Sequence, residues 1–219
     1  MKPKLIIFDM DGTMLDTEPI SMEGWRTASE KLGFPITKEA FMLIYEKIIG
    51  RNLINCKNVM QEHVSPTFDM DAAYLMKLAH MDEHFKMHGI PIKHGLLPLL
   101  DALEEMNIKK CVATSTQKQR ATHKLTITGL INRFHVVVGG DEVEESKPNP
   151  DIFLKAAELC KTQPKDCLVL EDSAAGVEGA FRAGMQVYMI PDMLQPSVKT
   201  REMATAIYDD LYAVISKLQ

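Results

Sequence analysis

Two acidic pairs, each following a short apolar run, are the residues of this sequence best suited to chemistry. The first is Asp9 and Asp11, in Phe8-Asp9-Met10-Asp11-Gly12-Thr13 after the run 5–8. The second is Glu171 and Asp172, in Leu170-Glu171-Asp172-Ser173 after the run 167–170. Two acids in one loop repel each other unless a positive charge lies between them or one keeps a proton. A hard divalent cation removes the repulsion, and Mg²⁺ prefers oxygen ligands while keeping several waters. An Asp-x-Asp-Gly turn by itself is common on solvated surfaces; two such run ends make a shared metal site the stronger reading. Two further features could meet an anion. Thr114 and Ser115 follow the run 111–113 and offer hydroxyl and backbone donors. Lys147, in Ser146-Lys147-Pro148-Asn149-Pro150, supplies a cation on a backbone that the prolines restrict. Taken alone, that lysine reads as a surface residue in a turn.

The elements that must position these groups follow from the apolar pattern. The near-continuous apolar runs 5–8, 111–113, 136–138, 167–170 and 187–190 suit strands buried on both faces of a parallel sheet. Segments 94–106, 119–127, 150–160 and 173–183 have helical spacing and serve as the crossovers. Ligands bind outside the carboxyl ends of such strands, where both acidic pairs fall. Asn149 before Pro150 predicts a helix entry with Asn as the cap and Pro in the first turn. Gly176, Gly179 and Gly184 read as part of the helix after Asp172, where each costs about 1 kcal/mol relative to Ala. A close approach of that helix to the sheet would explain them.

The interval 17–92 breaks the alternation. Met22, Trp25, Ala28 and Leu32 make one helical stripe and Tyr74, Leu78, Met81 and Phe85 another. We read these stripes as the core of a small bundle. The expected architecture is therefore α/β: a doubly wound, Rossmann-like parallel sheet built from 1–16 and 93–219, with an all-helical cap domain inserted at 17–92. Segments 15–18 and 89–93 are the expected hinges on which the cap would open and close. His80, His84 and His88 recur every four residues beside Asp82 and Glu83. Without further clustered ligands they read as a solvated face, not a zinc site.

Composition narrows the partners. The chain of 219 residues has a formal net charge of -5, with 46% hydrophobic and 25% charged residues and no basic run. Neither nucleic acid nor an anionic membrane surface is an expected partner. Its four cysteines form no Cys-x-x-Cys pair, and the first acid comes too early for a signal peptide. A monomeric cytoplasmic protein is expected.

The ordered set Asp9-x-Asp11-Gly12-Thr13, Thr114, Lys147-Pro148-x-Pro150-Asp151 and Glu171-Asp172-Ser173-x-x-Gly176 resembles the haloacid dehalogenase superfamily across essentially the whole chain. The position of the helical insert is similar to that in its β-phosphoglucomutase-like branch of sugar phosphatases and mutases. The resemblance implies an Mg²⁺-dependent phosphatase acting on a small phosphorylated metabolite, a sugar phosphate or similar, through a phosphoaspartate. It makes Asp9 the nucleophile and Asp11 the acid–base residue, with Thr114 and Lys147 holding the phosphoryl oxygens. Mg²⁺ would bind Asp9, the Asp11 carbonyl and Asp172, with Glu171 assisting. Gly12, Ser115, Thr17, Ser21 and Arg51 would contact substrate. Physics accommodates these roles. A carboxylate nucleophile splits one hard displacement into two easier ones, and the slow uncatalysed reaction requires positioning, charge and acid–base effects together.

A sugar phosphomutase is the sibling reading. Against it, the resemblance implies a histidine in the mutase branch four residues past the threonine matched by Thr17, where this chain has Ser21, and Arg51 lies off the spacing expected for a second phosphate. A phospho-accepting receiver domain shares the strand-end acids, hydroxyl and lysine but lacks a helical insert after its first strand. A degenerate binding protein would not keep every catalytic position filled, and the dehalogenase branch does not need the second acid.

Overall fold

The computed structural model describes residues 2–51 and 53–218. The first strand, β1 (Leu5–Phe8), is four apolar residues with no exposure, buried on both faces. After it the chain enters a helical unit, Thr17–Ile90, and returns at Pro91 to the unit it left, Met1–Asp16 with Pro91–Gln219. The second crossing falls two residues ahead of the expected one. Asp16 N donates to Pro91 O at 2.9 Å and Leu15 bridges Ile92, so 91 and 92 already belong with the first loop.

The helical unit contains α1 (Glu18–Lys31), α2 (Lys38–Tyr45), α3 (Leu53–His63) and α4 (Met70–His88). Helices α1 and α4 pack through Met22, Trp25 and Ala28 on one side and Met81 and Phe85 on the other, all buried. Leu32, Tyr74 and Leu78 complete the stripes half-buried. Thr37 and Asp69 cap α2 and α4 by accepting from the amides of Ala40 and Ala72.

The other unit runs α5 (Leu96–Glu105), β2 (Lys109–Ala113), α6 (Lys118–Ile127), β3 (Val136–Val138), α7 (Asp151–Leu159), β4 (Cys167–Glu171), α8 (Ala174–Arg182), β5 (Gln186–Met189), α9 (Val198–Met203), β6 (Ala206–Ile207) and α10 (Leu211–Leu218). All six strands are parallel, in the order β3-β2-β1-β4-β5-β6. The strand β6 was not expected: two half-buried residues give no apolar run to read. The register sets Phe8 opposite both Val112 and Leu170, so the chain leaves β1, β2 and β4 at nearly one level.

Two local expectations are corrected. Helix α7 begins at Asp151 with Pro150 as its cap residue, and the Asn149 side chain donates to Glu145 Oε2 instead of capping. Gly184 lies beyond the end of α8 at φ +71°, where a left-handed turn stops the helix.

Candidate active site

The level strand ends bring Asp9, Thr114, Glu171 and Asp172 to one edge of the sheet, and all four are buried. Asp9 follows β1 directly, and its amide donates to Leu170 O at 2.9 Å, which locks the first loop to β4. Lys147 reaches the same edge from the loop before α7. With 1% of its side chain exposed, it is anything but a surface lysine. Its ammonium donates to Asp9 Oδ1 at 2.5 Å, Glu171 Oε1 at 2.7 Å and the Ala113 carbonyl at 3.4 Å, and lies 5.0 Å from the Phe153 ring centroid. Burial alone would depress the lysine, but Asp9 and Glu171 together hold it above its usual range. Burial pushes the Asp9 carboxyl well above the ordinary value against the pull of Lys147, and the neighbouring Glu171 adds to the rise. One buried cation thus faces two carboxylates, with Asp172 a third acid at the same edge.

Glu171 is fixed on its other oxygen. Oε2 accepts from Ser173 N at 2.7 Å and Ser173 Oγ at 3.0 Å, while Ser173 Oγ accepts from Gly176 N at 3.0 Å and so caps α8. A Cβ on Gly176 would stand 1.7 Å from Glu171 Oε1, which is why the first turn of α8 carries a glycine there. Gly179 faces the Phe153 ring, where a Cβ would come within 3.1 Å. Close approach accounts for both residues. Asp172 Oδ1 accepts from Thr13 Oγ1 at 2.9 Å, and Gly12, at φ +91°, passes so near that a Cβ would lie 2.3 Å from Asp172 Oδ2.

Asp11 turns to a different set of partners. Its Oδ1 accepts from Lys124 Nζ at 2.5 Å and its Oδ2 from Thr116 Oγ1 at 2.7 Å. The sequence reading missed both donors. Thr116 follows Thr114 by two residues, and Thr114 Oγ1 accepts from its amide at 3.1 Å. Lys124 carried a signal in retrospect, because it shares the buried face of α6 with Ala121 and Leu125, a place where a lysine needs a partner. Ser115 lies half-buried beside Gly140, whose missing side chain leaves room for the Ser115 carbonyl.

Of the residues expected to contact substrate from the insert, Thr17 and Ser21 are buried and Arg51 is exposed. Ser21 shares its surroundings with Tyr45, whose hydroxyl donates to the Glu18 carboxylate; burial and then Glu18 raise the tyrosine well above its usual value.

The side chains of Asp9, Asp11, Glu171 and Asp172 do not converge as one cluster, and the donor expected of Asp11 is its carbonyl. Among the described residues no three Asp, Glu, His or Cys side chains converge as a metal would require. Glu171 is occupied by Lys147 and Ser173, and the Asp11 side chain points to Lys124 and Thr116. Mg²⁺, however, needs only one or two carboxylates when waters and backbone carbonyls complete its shell. Asp9 and Asp172 meet that need, and the contact of Gly12 with Asp172 brings the first loop's backbone into the same place. The donor set fits a hard cation.

The buried lysine lies between strand-end carboxylates on a doubly wound sheet, and comparison with known proteins gives the class. Residues 6–190 match the family model for haloacid dehalogenase-like hydrolases, and the chain belongs to that family. A Drosophila melanogaster protein named "Probable pseudouridine-5'-phosphatase" is 34% identical over 203 residues, covering 89% of this chain and 84% of that one. A phosphorylated carbohydrates phosphatase of Thermotoga maritima is 31% identical over 183 residues, covering 83% and 82%. The crystal structure of a hydrolase from Pseudomonas syringae superposes with a TM-score of 0.83 at 25% identity, covering 98% of this chain and 97% of that one. No helix among the described residues is long and apolar enough to cross a membrane.

Proposed function

We propose that this hydrolase removes the phosphoryl group from a small phosphorylated metabolite built on a sugar, using Asp9 as the nucleophile. The observation that carries this reading is the Asp9–Lys147–Glu171 triad, in which a buried ammonium orients one oxygen of a strand-end carboxylate. Asp9 forms a bond to phosphorus as the bond to the leaving oxygen breaks, and Asp11 gives that oxygen a proton. Water then attacks the phosphoaspartate, passes a proton to Asp11, and releases phosphate and free Asp9. Thr114 and Lys147 hold phosphoryl oxygens, and Gly12 and Ser115 line the same strand ends. Asp9, Asp172 and the Asp11 carbonyl would hold Mg²⁺, which supplies positive charge to the phosphoryl oxygens. Glu171 would act on the metal site through Lys147 and Ser173. Two relatives named for sugar-bearing phosphates support the substrate class. Four free, buried cysteines suit a reducing cytoplasm.

The test is a panel of sugar phosphates, nucleotides and pseudouridine 5′-phosphate, assayed for inorganic phosphate with Mg²⁺ and with excess chelator. Release of phosphate from sugar-bearing members, lost on chelation and reduced roughly 10³-fold or more by Asp9→Asn in a folded protein, is expected. Isomerised sugar phosphate without phosphate release would make the enzyme a mutase. Full activity in chelator, or in Asp9→Asn, would end the reading.

A further inference from the structure

Lys124 is a buried charge outside the triad that faces a residue of the first loop. It stands on the inward face of α6 with 8% of its side chain exposed, in line with Ala121 and Leu125, where an aliphatic residue would complete the packing. Burying an ammonium is costly unless a partner compensates it. Its partner is Asp11, the second acid of the first loop, at 2.5 Å. The other Asp11 oxygen is held by Thr116, itself anchored at both backbone polar groups: its amide donates to Thr114 Oγ1 at 3.1 Å and its carbonyl accepts from Gly140 N at 3.0 Å. The carboxylate is thereby gripped on both oxygens by elements that follow β2, while its backbone belongs to the loop after β1.

We propose that Lys124 and Thr116 are positioning residues for Asp11: together they aim its carboxyl, and the ammonium stabilises the negative charge that Asp11 gains as its proton passes to the leaving oxygen. This inference rests on the reading of Asp11 as the acid of the first step. In that step the Asp9–phosphorus bond forms, the phosphorus–oxygen bond to the leaving group breaks, the proton goes from Asp11 to the departing oxygen, and Asp11 is left as an anion beside Lys124. A carboxylate whose charge rises in the transition state benefits from a fixed cation more than one whose charge stays constant. The benefit therefore depends on how much proton the leaving group demands. An alkoxide cannot leave without one; a nitrophenolate can.

The experiment compares kcat/KM for glycerol 1-phosphate and 4-nitrophenyl phosphate in the full chain with Mg²⁺, because kcat/KM reports the step in which the leaving group departs. Lys124→Met should lower the alkyl value about 100-fold and the nitrophenyl value less than about threefold. Thr116→Val should show the same split at smaller size, and Lys124→Arg should restore most of the alkyl rate. In an Asp11→Asn background, Lys124→Met should cost almost nothing further, since a residue that acts through Asp11 has nothing left to act on. An equal loss on both substrates, or full additivity with Asp11→Asn, would make Lys124 a structural ion-pair partner and overturn the proposal. Asp11→Asn alone separates the two levels of failure. If it lowers both substrates equally, the acid role of Asp11 falls; if it shows the split while Lys124→Met and Thr116→Val do not, the acid role stands and the positioning role falls. Should Lys124→Met not fold, Lys124→Gln and Thr116→Val carry the same comparison.

Discussion

The α/β unit and the helical unit both bury polar groups, but they satisfy them differently. In the α/β unit Asp9, Lys147, Glu171 and Asp172 are at most 7% exposed; Asp172 pairs with Thr13, and Asp9, Lys147, Glu171 and Ser173 form one connected set. That set crosses from β1 to β4 and the loop before α7, so sequence-distant segments meet only when the sheet forms. In the helical unit a buried polar contact runs from Tyr45 on α2 to the carbonyl and carboxylate of Glu18 at the start of α1. Elsewhere that unit is held by rings and aliphatic stems: Trp25 and Tyr74 lie 6.1 Å apart, with the Lys77 ammonium 5.7 Å from the Trp25 ring centroid. Such contacts tolerate small shifts that a charged triad does not. On the proposed function, the charges buried at the strand ends serve chemistry, whereas the Tyr45–Glu18 contact ties α2 to α1.

The comparison is tested most severely at Lys147. Lys147→Met leaves the Asp9 and Glu171 carboxylates buried without their shared cation, and breaking a buried pair in this way costs about 3–5 kcal/mol. Denaturant unfolding should register that loss, and phosphate release should fall with it. Normal turnover in Lys147→Met would break the claim that this charge serves chemistry.

A pair of glycine substitutions sharpens the contrast with smaller effects. Gly176→Ala drives a methyl into Glu171 Oε1, and overpacking of this kind costs about 1–3 kcal/mol. Because Glu171 holds Lys147, turnover should drop as well. Gly33→Ala in the helical unit meets no atom within 4 Å but must adopt φ near +88°, a strain of about 1 kcal/mol. Its melting temperature should fall while turnover below the transition stays near the parent's. If Gly33→Ala slowed turnover as much as Gly176→Ala, the division between the units would fail.

An effect of similar size is expected for Tyr45→Phe. Losing one hydroxyl from the buried Glu18 carboxylate should destabilise the protein by about 1–2 kcal/mol, visible in denaturant unfolding. Unchanged stability with altered turnover would show that Tyr45 serves the reaction rather than the helices.

How far the sequence could be read depended on whether a residue's role was local. Strand β1 was legible because a strand buried on both faces must be apolar at every position, and the acids after it because a second acidic pair ends another apolar run. The stripes of α1 and α4 were legible for the same reason, through helical periodicity. Strand β6 was not, since two half-buried residues leave no pattern. Lys147 alone read as an exposed turn residue, and its burial depends on a loop folding over the ends of β1 and β4. Gly176 was visible as an anomaly, but the carboxylate that excludes a side chain there became visible only in three dimensions. By itself the sequence determined which residue types could hold a phosphoryl group and a cation, because those chemistries demand particular atoms. Only the tertiary structure decided that Asp9 shares a lysine with Glu171 while Asp11 turns to Thr116 and Lys124. Two acids separated by one residue carry no record of their separate partners, which the parallel register and the packing of α6 bring to them from more than a hundred residues away.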